Sequence, residues 1–285
     1  VVHVDYIETF EGQVNMITIT ENEFQKIARF VKENYGIHLK IEKISLVMGR
    51  LQSELSKKNF TSFSQYYDYV VNDETGRAAN ELIDRISTNH TYFMREKEHF
   101  RFFEEQVLPY FAEHKKENSL RLWSAGCSTG EEPYTLAMIL SDFESKKKVW
   151  NETKILATDI SEKVLTKAEL GMYTSQSVSV LPSIWRLNYM SKCEEDKFKI
   201  NDSIKNKILF TKFNLMDEFP FKRRFHTIFC RNVMIYFESK TRIALVNKFY
   251  NALETGGYLF IGQSESIIRN DSAFKYIMPS VYRKV

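Results

Sequence analysis

The stretch "LRLWSAGCSTGEEPYTLAMIL", Leu120 to Leu140, decides how the chain folds. An apolar run stops at Gly126, a polar turn reaches Gly130, and Glu131, Glu132 and Pro133 open a second apolar run. That order reads as a strand handing over to a helix with acids in its first turn. In an α/β sheet the ligand sits beyond the carboxyl ends of the strands, and glycine lets backbone approach it where a side chain would clash. The turn lacks the GKS or GKT of a phosphate-binding loop and is not GxGxxG. Acids at 131 and 132 would repel a pyrophosphate docking on the helix N-terminus; they suit a cation or sugar hydroxyls.

Outward from this stretch, "TKILATD", "KILFTKFN", "FHTIFCRN" and "YLFIGQSE" read as strands. "SEKVLTKAELG" reads as a helix capped by Ser161 and followed by Gly171, and "SKTRIALVNKFYNALETGG" as another. The alternation predicts a doubly wound parallel α/β sheet, with "SVYRKV" as a last edge strand. Residues 172–206 exceed an ordinary loop and contain "DKFKIND", a strand ending in a turn, so they predict a small, partly β insertion. Upstream the period is helical. Phe24, Ile27, Phe30 and Val31 share one face between Thr20 and Gly36, and Ile44, Val47, Leu51 and Leu55 share the next. "SFSQYYDYVVND", "ETGRAANELIDRIST" and "EKEHFRFFEEQVLPYF" are three more helices, the last with Pro109 near its end. The chain divides into an extension (1–20), a helical domain (21–95) and an α/β domain (96–285).

The 285 residues are 43% hydrophobic, 27% charged and 14% aromatic, which excludes disorder over most of the length. The net charge of +3 makes no demand for nucleic acid. Cys127, Cys193 and Cys230 form no CxxC pair, so neither a disulfide framework nor a zinc site is indicated, and a reducing cytoplasm fits. No apolar run approaches the ~20 residues that span a bilayer, and "VVHVDYIETFEGQ" does not read as a signal peptide.

Chemistry-bearing residues gather at the strand ends. Asp159 closes the second strand, where an acid accepts two ribose hydroxyls. S-adenosylmethionine carries a sulfonium and an ammonium and no phosphate, which matches the acids after Gly126. Asn214 and Leu215 end the third strand and suit an adenine edge and face. Arg231 and Asn232 leave the fourth, with Tyr236 about a helical turn further on. "STNHTYFMRE", Ser87 to Glu96, offers Asn89, His90, Thr91 and Arg95; Asn89 or Thr91 would equally cap a helix, and His90 reads as a solvated side chain. "GQSES", Gly262 to Ser266, reads as readily as a plain turn.

"STNHTYFMRE", "WSAGCSTGEEPY", "ATDIS", "FNL", "FCRNVMIYF" and "GQSES", in this order, resemble the motif series of the CheR-type chemotaxis protein-glutamate O-methyltransferases. The resemblance runs from about Glu21 to the C-terminus. It implies a helical, receptor-docking domain joined to a Rossmann-like methyltransferase domain. It implies methylation of glutamates on the cytoplasmic helical bundle of methyl-accepting chemoreceptors, with S-adenosylhomocysteine as product, no metal and no membrane insertion. Carried over by motif, Asn89, Thr91, Arg95, Gly126, Glu132, Asp159, Asn214, Leu215, Arg231 and Asn232 line the cofactor site, and Arg95 and Tyr236 meet the substrate glutamate. The sequence departs from many relatives in "GCS" and in "GQSE". In some members the insertion binds a tethering peptide from the receptor C-terminus; the glycine-free "MSKCEEDKFKIND" leaves that open. Lys40, Lys43, Arg50, Lys57 and Lys58 on or beside the second helix read either as a solvated face or as a surface for an acidic bundle. The rival readings are a methyltransferase acting on another acceptor and a non-catalytic cofactor- or receptor-binding scaffold.

Overall fold

The computed structural model describes residues 16–114, 118–147, 149–268 and 271–285. Most of the expected N-terminal extension, and its reading as a non-signal segment, lies outside the described residues.

Four helices come first: α1 (Glu21–Tyr35), α2 (Ile44–Lys57), α3 (Phe63–Asn72) and α4 (Arg77–Ile86). Helix α1 starts where the sequence says. The Thr20 hydroxyl accepts from the Glu23 amide while the Glu23 carboxylate accepts from the Thr20 amide, a reciprocal capping box. It ends at Gly36 in a left-handed conformation. Phe24, Ile27 and Val31 bury against Val47, Leu51 and Leu55 of α2 and Phe63 and Tyr66 of α3. Phe30 and Ile44 only pack on this core's margin.

The fifth expected helix is longer than its sequence pattern. It runs as α5 (Lys97–Phe102), a π-helical turn (Phe103–Val107) and α6 (Leu108–His114). Pro109 is thus interior. Its ring cannot donate to the preceding turn, and the chain absorbs it with a wider turn in which the Leu108 amide reaches the Phe103 carbonyl.

Strands β1 (Ser119–Ala125) and β2 (Glu152–Asp159) flank helix α7 (Glu131–Lys146), and α8 (Glu162–Leu170) follows. The insertion comes next: β3 (Met172–Thr174), α9 (Ser175–Val178), α10 (Ser183–Tyr189), β4 (Met190–Glu194), β5 (Lys197–Ile200) and α11 (Asp202–Lys205). Its strands form a separate antiparallel sheet of order β3-β5-β4. The Tyr173 hydroxyl ties it to the Thr129 carbonyl at 2.6 Å, and Trp185 and Tyr189 both donate to Asp142 on α7. The chain then adds β6 (Ile208–Lys212), β7 (Phe225–Cys230), α12 (Ser239–Ala252), β8 (Leu253–Ile261), β9 (Lys275–Met278) and β10 (Val281–Arg283).

The main sheet has seven strands in the order β6-β2-β1-β7-β8-β10-β9. The first five are parallel, as the alternation predicts. The last strand is not the edge. It sits antiparallel between β8 and β9, because "KYIMPSVYR" is a hairpin whose turn places Ser280 at φ +62°. Strand β8 also starts inside the segment read as helix. Alternation along the strands feeds two cores. Leu122, Phe229 and Phe260 face one, with Phe100 and Phe103; Trp123, Ile228 and Leu259 face the other, with Phe249 of α12. Strand order reverses between β1 and β7, which leaves a crevice at their carboxyl ends.

Candidate functional site

A cavity opens at that crevice. Its walls come from the turns after β1, β2, β6 and β7, from the Ser87–Tyr92 linker, and from the segment joining α1 to α2. Asn89, Thr91, Arg95, Gly126, Glu132, Asp159, Asn214, Leu215, Arg231, Asn232 and Tyr236 all line it.

The β1–α7 turn is shaped by its glycines for different reasons. Gly126 lies at φ +87°, and a Cβ there would be driven into Val233 on the opposite wall. Gly130, at φ +95°, does not line the cavity; its missing Cβ leaves room for Ala168 and the Tyr173 hydroxyl. Only the first glycine serves close approach to the crevice. The paired acids also separate. Glu131 is buried on the far side, accepting from the Thr129 hydroxyl at 2.7 Å, and burial raises its carboxyl above the ordinary range. Glu132 faces the cavity, accepting from Ser124 Oγ at 2.7 Å and from Arg231 Nη1 at 3.0 Å.

Asp159 is 8% exposed. Burial raises its carboxyl, while the amides of Ser161 (3.0 Å) and Ser128 (2.8 Å) donate to it and pull the other way. The Ile160 amide adds to them, and a carboxylate, which accepts about four bonds, still has room for a further donor. Asn214 is already engaged: its Nδ2 donates to the Asn34 carbonyl at 2.8 Å and its Oδ1 accepts from the Met216 amide. That bond to Asn34 uses one of the two Nδ2 hydrogens and ties the two domains together, and the second hydrogen stays available for an adenine edge. Leu215 is buried beside it.

Arg231 is the centre of a charged cluster. Its side chain is 2% exposed. It reaches Glu132, Glu96 Oε2 at 3.2 Å, and the backbone carbonyl of Arg95. Glu96 also accepts from Asn232 Nδ2 and from the Gln263 amide, each at 3.2 Å. Glu265 accepts from the backbone amides of Gly262, Asn232, Ile235 and Met234. These two acids lie within the motifs "STNHTYFMRE" and "GQSES", and no spacing in the sequence signals their partners. Glu265 makes the "GQSES" turn more than a plain one. Strain gathers here: Met94, Glu96, Ser128 and Asn232 hold positive φ without being glycine.

Arg95 is partly exposed, donating to the His90 carbonyl at 2.8 Å and lying over the Tyr92 ring. The Tyr236 hydroxyl donates to the Thr88 carbonyl at 3.2 Å. Asn89 lends its carbonyl to Ser128 Oγ. The helical-side wall was not anticipated. His38, Leu39, Lys43 and Leu46 line the cavity, and Ile37 forms a β-bridge with Phe237. Of the basic residues read as one face, Arg50 turns inward to the Ile86 and Ser87 carbonyls, and Lys58 pairs with Tyr69 and Glu81. Lys57 lies 3.7 Å from Glu54, and Lys40 and Lys43 stay exposed. The face is therefore narrower than the sequence indicates, because a helix end supplies carbonyls that a guanidinium satisfies.

The donor set fits S-adenosylmethionine. Glu96 and Glu132 outnumber the single Arg231 between them, which favours a cation. Arg231 Nε is buried without a partner, a donor suited to a carboxylate.

Residues 89–282 match the family described as CheR methyltransferase, SAM binding domain, and residues 22–87 match CheR methyltransferase, all-alpha domain. A chemotaxis protein methyltransferase of Borreliella burgdorferi is 44% identical over 98% of this chain and all of its own length. Chemotaxis protein methyltransferase 2 of Vibrio cholerae is 32% identical over 92% of this chain and 91% of its own.

Proposed function

From the premise that the chain belongs to the CheR methyltransferase family, we propose that it esterifies glutamate side chains on the cytoplasmic helical bundle of chemoreceptors. It is an S-adenosylmethionine-dependent chemotaxis protein methyltransferase. The observation that carries the acceptor reading is that Arg95 and Tyr236 share one cavity with Glu132 and Asp159.

When bound, S-adenosylmethionine supplies an electrophilic methyl group on a sulfonium. An acceptor glutamate is ionised at neutral pH, its pKa being about 4.3, so the chain needs no general base. Its task is alignment, which is worth ~7–11 kcal/mol in favourable cases. Arg95 grips the acceptor carboxylate with a planar guanidinium after leaving the His90 carbonyl. Tyr236 offers its hydroxyl or its ring at the same mouth. Asp159 takes the ribose hydroxyls, Leu215 packs on the adenine, and Glu132 and Arg231 meet the charged end. Gly126 and Thr91 keep their sides of the crevice open. Asn89 and Asn232 hold its turns. The helical domain docks the receptor, with Lys40 and Lys43 facing acidic helices. The exposed edge strand β4 of the insertion is the place a tethering peptide would add to the sheet. Catalysis in the cytoplasm follows from that acceptor; no helix among the described residues is long and apolar enough to cross a membrane.

The test is methyl transfer from labelled cofactor to receptor fragments. The expected product is a methyl ester labile to mild base; a base-stable product means another acceptor, and binding without transfer means a scaffold. Arg95→Ala is expected to lower kcat about 10²-fold while S-adenosylhomocysteine binds nearly as before. Equal loss of both would move Arg95 to cofactor binding.

A further inference from the structure

We propose that Glu96 is a positioning residue for the cofactor, acting through Arg231 and Asn232 without lining the cavity itself. This rests on the reading of the cavity as the S-adenosylmethionine site.

Glu96 does three separate things. Its Oε2 faces Arg231 Nη2 at 3.2 Å, fixing the guanidinium that in turn holds Glu132 at 3.0 Å. Its Oε1 accepts from Asn232 Nδ2 at 3.2 Å, and this bond fixes the side chain of Asn232, whose backbone is left-handed at φ +60°. It also accepts from the Gln263 amide, pinning the turn after β8 against the turn after β7. The side chain is 11% exposed. Burial raises its carboxyl, but Arg231 and the bonds from Gln263 and Asn232 outweigh burial and hold it below the ordinary carboxylate range. It is therefore a fixed negative charge one residue behind the wall. Glu96 itself stands at φ +56°, directly after Arg95, so its backbone is strained in order to aim this carboxylate inward.

Two effects follow, one geometric and one electrostatic. Removing the side chain frees Arg231 and Asn232. Removing only the charge leaves Arg231 with one carboxylate partner and makes the wall one unit more positive. S-adenosylmethionine carries a net positive charge that S-adenosylhomocysteine lacks, so loss of charge should penalise the first more than the second. A purely structural role would weaken both alike.

The experiment compares wild type, Glu96→Gln and Glu96→Ala by calorimetric titration with each compound, with steady-state kinetics and urea unfolding alongside. Glu96→Gln keeps an acceptor for Asn232 and Gln263. It is expected to raise the Kd for S-adenosylmethionine about tenfold and that for S-adenosylhomocysteine about threefold, with KM rising in step and kcat changing less. Glu96→Ala is expected to weaken both compounds further. The proposal is overturned if folded Glu96→Gln binds both compounds as wild type does, or loses both equally. Should Glu96→Ala fail to fold, the Gln variant still decides. Wild type that binds neither compound would refute the site assignment instead, before Glu96 is tested.

Discussion

On the sheet side of the cavity, Arg231 is enclosed by Glu96, Glu132 and the Arg95 carbonyl, with Glu265 gathering backbone amides beneath. On the helical side, the segment after α1 is held by a single bridge from Ile37 to Phe237, the His38 amide donating to the Tyr236 carbonyl, Asn214 donating to Asn34, and Glu238 meeting Lys32 and His38 at 2.8 Å each. The first wall consists of buried charges, each useless without its partner. The second is a set of contacts in or near solvent. Coulomb attraction is strong and unscreened in the first and weak in the second, so one wall is pre-formed and the other is cheap to separate.

The comparison breaks most sharply at Arg231. Arg231→Met leaves Glu96 and Glu132 buried without their cation and is expected to cost about 3–5 kcal/mol in urea unfolding, with cofactor binding lost. A shift below ~1 kcal/mol would mean the cluster is wetter than its burial indicates.

Acid should find the same wall. Burial first, then repulsion from Arg231, pushes His99 down to about 4 from its ordinary 6.5, although Glu96 lies 3.3 Å away. The unfolded chain therefore takes up this proton first. Stability from the neutral ring is present above pH 6.5 and falls away between 6.5 and about 4. The loss should approach ~3 kcal/mol, and His99→Phe should flatten that part of the stability profile.

Next comes Gly126→Ala, which places a side chain at φ +87° and against Val233. The expected cost is about 1–3 kcal/mol, with weaker S-adenosylhomocysteine binding by calorimetry. The smallest effect on stability belongs to Glu238→Ala on the helical side. Its unfolding midpoint should hardly move, while stopped-flow release of S-adenosylhomocysteine quickens. A large fall in stability would erase the contrast between the walls.

The sheet side was legible in sequence because its chemistry is local. "WSAGCSTGEEPY" shows its glycines and acids in one line, and the ends of β2, β6 and β7 follow from alternation. What escaped was partnership. Nothing in the string says that Glu96 meets Gln263, or that Arg50 spends its guanidinium on the end of α4. The helical-side wall escaped for a further reason. His38 and Leu46 join the cavity only through the docking of one domain on another, which leaves no periodic trace. The mistaken edge strand is similar: "KYIM" is only four residues long, too short to show an alternation, and its pairing depends on the turn at Ser280. The helix through Pro109 runs three residues past its sequence pattern, to His114, and its π-helical turn, with Phe103 and Val107 buried, has no signature in the apolar spacing.

The bond from Arg231 to the carbonyl of Arg95 has an evolutionary corollary. The peptide that bears Arg95, the side chain proposed to grip the acceptor, is itself a support of the cavity proposed for the methyl donor. Insertions or deletions near Arg95 would disturb both halves of the reaction together. A descendant of this enzyme adopting a new acceptor must therefore change side chains at the mouth, while the main-chain path from Tyr92 to Glu96 stays as it is.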